Sequence, residues 1–94
     1  MGFVTVEIVV CLCTFDPDRP LLGKVLESVA EQLPPGCPWS VLIVDNGSQP
    51  ALAPSVLAPL RSANLPARIV RENRPGLIHA RIRAIEETDS AWLL

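Results

Sequence analysis

Residues that could bind a nucleotide or another anionic ligand, most of them polar, follow three apolar segments of this 94-residue chain. They are Thr14, Phe15 and Asp16 after the first segment, Asp45 and Asn46 after the second, and Asn73 and Gly76 after the third. An ionised Asp45 can accept hydrogen bonds from a nucleobase imide or a ribose hydroxyl, and charged acceptors form the stronger bonds. Alternatively, Asp45 caps its own turn as an Asx motif. The spacing of the residues leaves both interpretations open.

Arginines form a second group of residues that could bind a ligand. Residues 61–83 carry six arginines and one glutamate, whereas residues 1–60 carry two basic and six acidic groups. Free N–H groups and the helix dipole attract anions at the start of a helix, so arginines near such a start suit a diphosphate. Four of them surround the predicted start of the third helix: Arg71, Arg74, Arg81 and Arg83. For each one the alternative is a solvated helical surface that contributes little.

The strands that must position these residues are rich in β-branched and apolar side chains without strict alternation. This composition predicts buried strands at residues 5–14 and 40–44, a short third strand at residues 68–71 and a fourth strand at residues 91–94. Between the strands lie three predicted helices. Alternating strands and helices predict an α/β fold with a parallel sheet of about four strands, in which ligands bind at the carboxyl ends of the strands.

The first helix has the clearest signals. Asp18 is placed to cap it, with Pro20 in its first turn, and Pro34 ends it. Apolar residues recur at helical spacing and predict one stripe against the sheet: Leu21, Leu22, Val25, Leu26, Val29, Ala30 and Leu33. The second helix begins near Pro54 and is kinked or broken near Pro59, and the third covers residues 77–87.

Composition excludes several classes of protein. A net charge of −2 argues against binding nucleic acid by bulk electrostatics. The apolar run at residues 8–12 is far too short to span a bilayer, and no basic segment precedes it as a signal peptide requires. Three cysteines make no disulfide framework, which favours a reducing compartment, and Cys11 and Cys13 on one strand face predict core packing rather than a metal site.

Four blocks in order resemble family 2 glycosyltransferases of the GT-A fold. The first is Thr14-Phe15-Asp16 followed by Arg19-Pro20-Leu21-Leu22, where the family has a Thr-Tyr-Asn-like triplet. The others are Ile43-Val44-Asp45-Asn46-Gly47-Ser48, Asn73-Arg74-Pro75-Gly76-Leu77 with Ala80-Arg81, and Ser90-Ala91-Trp92-Leu93-Leu94. The chain departs from the family pattern at Asp16 and Ile82, which stand where asparagine is common, and at Pro75 in the third block.

The resemblance implies a Rossmann-like GT-A half-domain that binds a nucleoside diphosphate sugar for transfer of the sugar to an unknown acceptor. It implies that Asp45 contacts the nucleobase, that Thr14 and Asp16 line the nucleoside pocket, and that Arg81 lies near the pyrophosphate with the Gly76 loop. The full expected nucleotide-binding set is Thr14, Phe15, Asp16, Asp45, Asn46, Asn73, Gly76 and Arg81.

The same resemblance bears on what surrounds this chain. We expect residues 1–94 to be the amino-terminal, nucleotide-sugar-binding portion of a longer enzyme, ending before an Asp-x-Asp motif that holds Mg²⁺ or Mn²⁺. The isolated chain is then expected to be inactive, and an exposed sheet edge favours association into oligomers. The expected location is the cytoplasm or, for the intact protein, the cytoplasmic face of a membrane.

Other functions stay open at this point. A Rossmann-type dinucleotide-binding domain fits the strand pattern, but G-x-G-x-x-G is missing after the first strand. A serine hydrolase lacks its G-x-S-x-G elbow. A non-catalytic nucleotide- or sugar-binding module of the same fold remains the alternative to an enzyme.

Overall fold

A computed structural model describes residues 8–32 and 39–88, together with the backbone of residues 92–93. These residues form a four-stranded parallel sheet in the order β3-β2-β1-β4. The strands are β1 (Ile8–Thr14), β2 (Trp39–Asp45), β3 (Ala67–Arg71) and β4 (Trp92–Leu93). The helices are α1 (Arg19–Gln32), α2 (Ala58–Ser62) and α3 (Leu77–Glu86), and a 3-10 helix at Pro54–Leu57 precedes α2. The predicted α/β class and the parallel, Rossmann-like arrangement are confirmed.

The carboxyl ends of three strands lie side by side. Thr14 of β1 pairs in register with Asp45 of β2, and Asp45 pairs with Arg71 of β3. The polar residues that follow these strands are therefore brought to one edge of the sheet, as the sequence predicts. The predicted strand start at residues 5–7 and the predicted helix end at residues 33–35 lie outside the described residues.

The sheet is covered on both faces because successive side chains of β2 point in opposite directions. One cluster packs under α1 and α2 and comprises Leu22, Leu26, Val41, Ile43, Leu52, Leu57 and Leu60. The other packs under α3 and comprises Val9, Leu42, Val44, Ala80 and Ala84. Continuous burial of residues 41–45 explains why β2 lacks an alternating pattern of apolar and polar residues.

Helix α1 starts as predicted but buries a narrower stripe. Asp18 Oδ1 accepts a hydrogen bond from Leu21 N at 3.0 Å, which caps the first turn. Leu22 and Leu26 are buried, whereas Leu21 and Val25 are exposed, contrary to the predicted stripe. The reason is geometric: each exposed residue precedes a buried one and is rotated by about 100° from it around the helix axis.

The segment after β2 is broken where its prolines predict. Pro54 begins the 3-10 helix, which ends at Leu57, and α2 begins at Ala58 with Pro59 in its first turn. A proline lacks the N–H of a continuous helical ladder, so two short helices replace one longer helix. Both still bury apolar residues, Leu57 and Leu60, against the sheet.

Helix α3 lies close to the sheet because small residues face it. Ala80 and Ala84 are buried, while Ile78, Ile82 and Ile85 are exposed on its outer side. Within residues 8–32 and 39–88, none of the helices combines the length and hydrophobicity that a membrane span requires.

Candidate functional site

A pocket of about 400 Å³ opens at the carboxyl edge of the sheet. One wall is the end of β1 with the residues after it, and the opposite wall is the loop at residues 72–76 with the first turns of α3. The lining residues are Cys13, Thr14, Phe15, Asn46, Pro75, Gly76, Leu77 and Ala80. This is the volume of an ordinary small-molecule site, with apolar walls and few polar side chains.

Asn46 joins the two walls of this pocket. Its backbone N–H donates to Thr14 O at 2.8 Å, which fastens it to the end of β1. Its side-chain Nδ2 donates to Glu72 O at 3.0 Å and to Arg74 O at 2.8 Å, and its Oδ1 accepts from Gly76 N at 3.2 Å. Only 9% of Asn46 is exposed. The end of β2 therefore determines where the loop lies.

The Asp45 carboxylate is bound by backbone N–H groups and an arginine of the same chain. Its Oδ1 accepts from Ser48 N at 3.0 Å, and its Oδ2 accepts from Leu52 N at 2.9 Å and lies 3.2 Å from Arg71 Nη1. With 1% of the residue exposed, burial acts to raise the pKa of Asp45. The hydrogen bonds from Leu52 and Ser48 and the charge of Arg71 outweigh burial and hold the pKa below its usual value. This geometry is the capping alternative of the sequence analysis.

Asp45 and Asn46 line different pockets, because the side chains of adjacent residues in an extended segment point to opposite faces of the sheet. This second pocket, of about 360 Å³, lies beside β3, the 3-10 helix and α2. It is lined by Asp45, Ala51, Leu52, Pro54, Leu57, Arg61, Arg68, Ile69 and Arg71. The predicted contact between Asp45 and a nucleobase stays a prediction.

Asp16 connects the loop after β1 to the loop after β2. Its backbone N–H donates to Ser48 Oγ at 2.8 Å, and its Oδ1 accepts from Gln49 N at 2.7 Å. The residue has a φ of 41°, a left-handed conformation that aspartate tolerates better than most residues. Asp16 is thus placed behind Phe15, which lines the pocket and is 65% exposed.

The loop at residues 72–76 is anchored by a buried carboxylate. Glu72 pairs with Arg74 and, at 3.8 Å, with Arg83 of α3. The hydrogen bond from Arg74 is the main cause that lowers the pKa of Glu72, against the opposing effect of burial. Asn73 is exposed and accepts a hydrogen bond from Arg71 Nε at 2.9 Å. Asn73 therefore steadies an arginine instead of lining the pocket.

Most arginines of the basic segment are neutralised by acids of the chain. Arg68 pairs with Glu87, Arg71 with Asp45, Arg74 with Glu72, and Arg83 with Glu72 and Glu87. Within the described residues, Arg61 and Arg81 are the arginines of this segment whose side chains form no hydrogen bond or ion pair. Of the four arginines predicted to surround an anion, the structure thus leaves only Arg81 unpaired.

Arg81 lies one helical turn beyond the pocket wall. It follows Leu77 by four positions, and residues four apart lie on the same helix face with their Cβ atoms about 6 Å apart. It is exposed, and α3 has no acidic residue in its first turn. The positive end of the helix dipole and the Arg81 guanidinium can therefore act on the same anion.

The cysteines of β1 pack as predicted. Cys11 and Cys13 lie on the α3 side of the sheet with their Sγ atoms 4.0 Å apart. Burial, followed by the neighbouring Cys13, raises the pKa of Cys11 to about 12. In the part of the chain that the structure describes, three or more His, Cys, Asp or Glu side chains nowhere cluster as a candidate metal site.

The structure brings together some of the predicted site residues and separates others. Thr14, Phe15, Asn46 and Gly76 line one pocket, whereas Asp16, Asp45 and Asn73 support it from outside. The sequence analysis missed the apolar lining residues Cys13, Pro75, Leu77 and Ala80. The sequence did contain a signal for them, since Cys13 precedes Thr14, Pro75 and Leu77 flank Gly76, and Ala80 follows Gly76 by one helical turn.

Comparison with known proteins agrees with the four blocks found in the sequence. Residues 9–94 match the family model described as Glycosyl transferase family 2. A search of curated proteins gives no match. The matched region contains both walls of the pocket, Arg81 and every strand of the sheet except the first residue of β1. The chain belongs to glycosyl transferase family 2.

Proposed function

We propose that this chain binds the nucleoside diphosphate part of a nucleotide sugar in the pocket between β1 and α3, and that the intact protein transfers the sugar to an acceptor. The observation that carries the proposal is the pocket itself. It lies at the carboxyl edge of a parallel sheet in a family 2 glycosyltransferase chain, beside an unpaired arginine and a helix N-terminus.

The two ends of the pocket suit the two parts of such a ligand. Phe15, Pro75 and Leu77 offer apolar surface to a planar base, and the hydroxyl of Thr14 can bond a polar group on it. Arg81 and the start of α3 supply positive charge without a neighbouring carboxylate in the first helical turn. A diphosphate placed there is compensated by groups that no acid of the described chain neutralises.

Mg²⁺ or Mn²⁺ belongs to the proposal through the family resemblance. The described residues contain no group of three or more His, Cys, Asp or Glu side chains for such an ion, and the location of its ligands stays a prediction. An ion held there by the intact protein would stabilise the negative charge of the leaving diphosphate. Arg81 then contributes to the same charge compensation from α3.

The proposal is tested by amide NMR titration of the 94-residue chain with UDP, GDP, TDP and ADP, each with and without Mg²⁺. We expect one of the nucleotides to shift the backbone amide resonances of Thr14, Asn46, Gly76 and Arg81. Arg81→Ala is expected to weaken binding about tenfold, as for the loss of one charge-assisted hydrogen bond. Arg61→Ala is the matched control, since Arg61 is also unpaired but lines the second pocket.

Two results would contradict the proposal. Shifts confined to Asp45, Leu52 and Arg61 would place the nucleotide in the second pocket and restore a direct role for Asp45. A dispersed spectrum that responds to none of the nucleotides would favour a module that does not bind nucleotides on its own.

A further inference from the structure

The Asn46 side chain forms three hydrogen bonds with the loop opposite it. Both N–H bonds of Nδ2 are donated, one to Glu72 O and one to Arg74 O, at 3.0 and 2.8 Å. Oδ1 accepts from Gly76 N at 3.2 Å and keeps one lone pair free. Three backbone groups of the loop at residues 72–76 are therefore held by one side chain.

These bonds control the width of the pocket because Asn46 is also bound to the other wall. Its N–H donates to Thr14 O at the end of β1, while its side chain holds the loop that carries Pro75 and Gly76. Gly76 is the N-cap of α3, so the start of that helix is held at a set distance from Thr14.

We propose that Asn46 is a positioning residue that sets the spacing of the two pocket walls through its two amide N–H donors. An ionised aspartate could accept the bond from Gly76 but could donate neither of the other two, and its charge would face two carbonyl oxygens. The effect on ligand affinity rests on the function proposed above, whereas the positioning of the loop does not.

A direct role in binding makes the opposite prediction. Because both amide N–H groups are used, a ligand in this pocket could only donate to the free lone pair of Asn46 Oδ1. A carboxylate is the stronger acceptor, so Asn46→Asp would preserve or improve such binding. If Asn46 acts by positioning, Asn46→Asp releases the loop and weakens binding.

The experiment compares wild type, Asn46→Asp and Asn46→Ala by amide NMR and hydrogen exchange of the whole 94-residue chain. Asn64→Asp is the control, because it also replaces an amide by a carboxylate but does so at an exposed turn outside the pocket. We expect exchange of the Gly76 amide to rise at least about tenfold in Asn46→Ala, which removes its acceptor, and to rise less in Asn46→Asp, which keeps that acceptor but releases the loop. Exchange should stay unchanged in the control. The nucleotide that binds the wild type in the titration above should bind both Asn46 variants about tenfold more weakly.

Acidification separates positioning from a general loss of structure. A protonated carboxyl can donate one hydrogen bond, so the Gly76 amide shift of Asn46→Asp should return toward the wild-type value as pH falls, while that of Asn46→Ala should not. The charged groups nearby are the same in every variant: Asp45, Glu72, Arg71, Arg74 and Arg83. The difference between the two variants therefore reports the introduced carboxyl.

The outcomes are distinct. Wild-type exchange at Gly76 in Asn46→Ala, or tight nucleotide binding by Asn46→Asp, would overturn the positioning role. If Asn46→Asp fails to fold, Asn46→Ala decides, because it adds no charge. A wild-type chain that binds none of the nucleotides refutes the proposed function, and Gly76 exchange in the free chain still tests the role of Asn46.

Discussion

Arg71 and Asp45 form a 3.2 Å ion pair that joins the carboxyl ends of the neighbouring strands β3 and β2. Asp45 is almost fully buried, whereas 34% of the Arg71 side chain remains exposed. The same guanidinium donates to Ser48 O at 3.0 Å and to Asn73 Oδ1 at 2.9 Å. One arginine thus binds the turn after β2 to the loop after β3, directly behind the proposed nucleotide pocket.

Asp45→Asn should destabilise the chain more than its charge change alone suggests. The amide keeps one acceptor, so a buried backbone N–H loses its partner and Arg71 loses its counter-charge. We expect a loss of about 2–4 kcal/mol in the free energy of unfolding, measured by urea denaturation. The matched control, Asp18→Asn, should cost less than about 0.5 kcal/mol because asparagine caps a helix as well as aspartate. Equal losses in both variants would contradict this interpretation of Asp45.

Substitution by alanine should lower the stability of the chain at one glycine and raise it at another. Gly76 has φ 114° and ψ 144°, a conformation that alanine adopts only under strain, so Gly76→Ala should cost about 1–3 kcal/mol. Gly23 lies inside α1 with nothing within 4 Å of an added Cβ, so Gly23→Ala should stabilise by about 0.5–1 kcal/mol. Thermal unfolding of both variants tests the pair. A stabilising Gly76→Ala would contradict the strain argued for the backbone at Gly76.

Stability should fall in acid because three of the described carboxyls are stabilised in the ionised form. The pKa values of Asp45, Glu72 and Glu87 are lowered in the folded chain, so the unfolded chain binds protons first, near its ordinary values of about 4. Their contribution is present above about pH 5 and is lost as pH falls through the folded pKa values. Urea unfolding from pH 7 to pH 3 measures this slope.

Glu72→Gln should flatten that acid dependence, because glutamine removes one of the three carboxyls that cause it. The charge-matched comparison is Glu31→Gln, on the exposed face of α1. An acid slope in Glu72→Gln as steep as in the wild type would rule out Glu72 as a source.

Cys11 should resist alkylation in the folded chain. Burial and Cys13 raise the pKa of Cys11 to about 12. Since the thiolate is the reactive form, its fraction at pH 8 falls roughly 10³-fold relative to a free thiol. Iodoacetamide labelling followed by peptide mass spectrometry, with and without urea, measures this protection. Labelling of Cys11 at the same rate in both conditions would refute it.

The elements of the fold were predictable where short-range rules act. Asp18 and Pro20 determine where α1 begins, and Pro54 and Pro59 divide the next helical segment, because capping and missing N–H groups are local effects. Apolar runs located the strands for the same reason. The stripe of α1 was predicted too wide, since the pattern does not reveal how closely the sheet approaches Leu21 and Val25.

The family and the edge of the sheet at which the pocket lies follow from the sequence alone, because ordered blocks and strand alternation are properties of the chain. Which neighbour enters the pocket, Asp45 or Asn46, depends on the turn after β2 and required the folded structure. The same holds for the arginines: Arg68 meets Glu87, Arg71 meets Asp45, and Arg83 meets Glu72 only when the strands and α3 pack together. Long-range contacts between charged side chains have no signature in local spacing, so only the tertiary structure distinguishes Arg81 as unpaired.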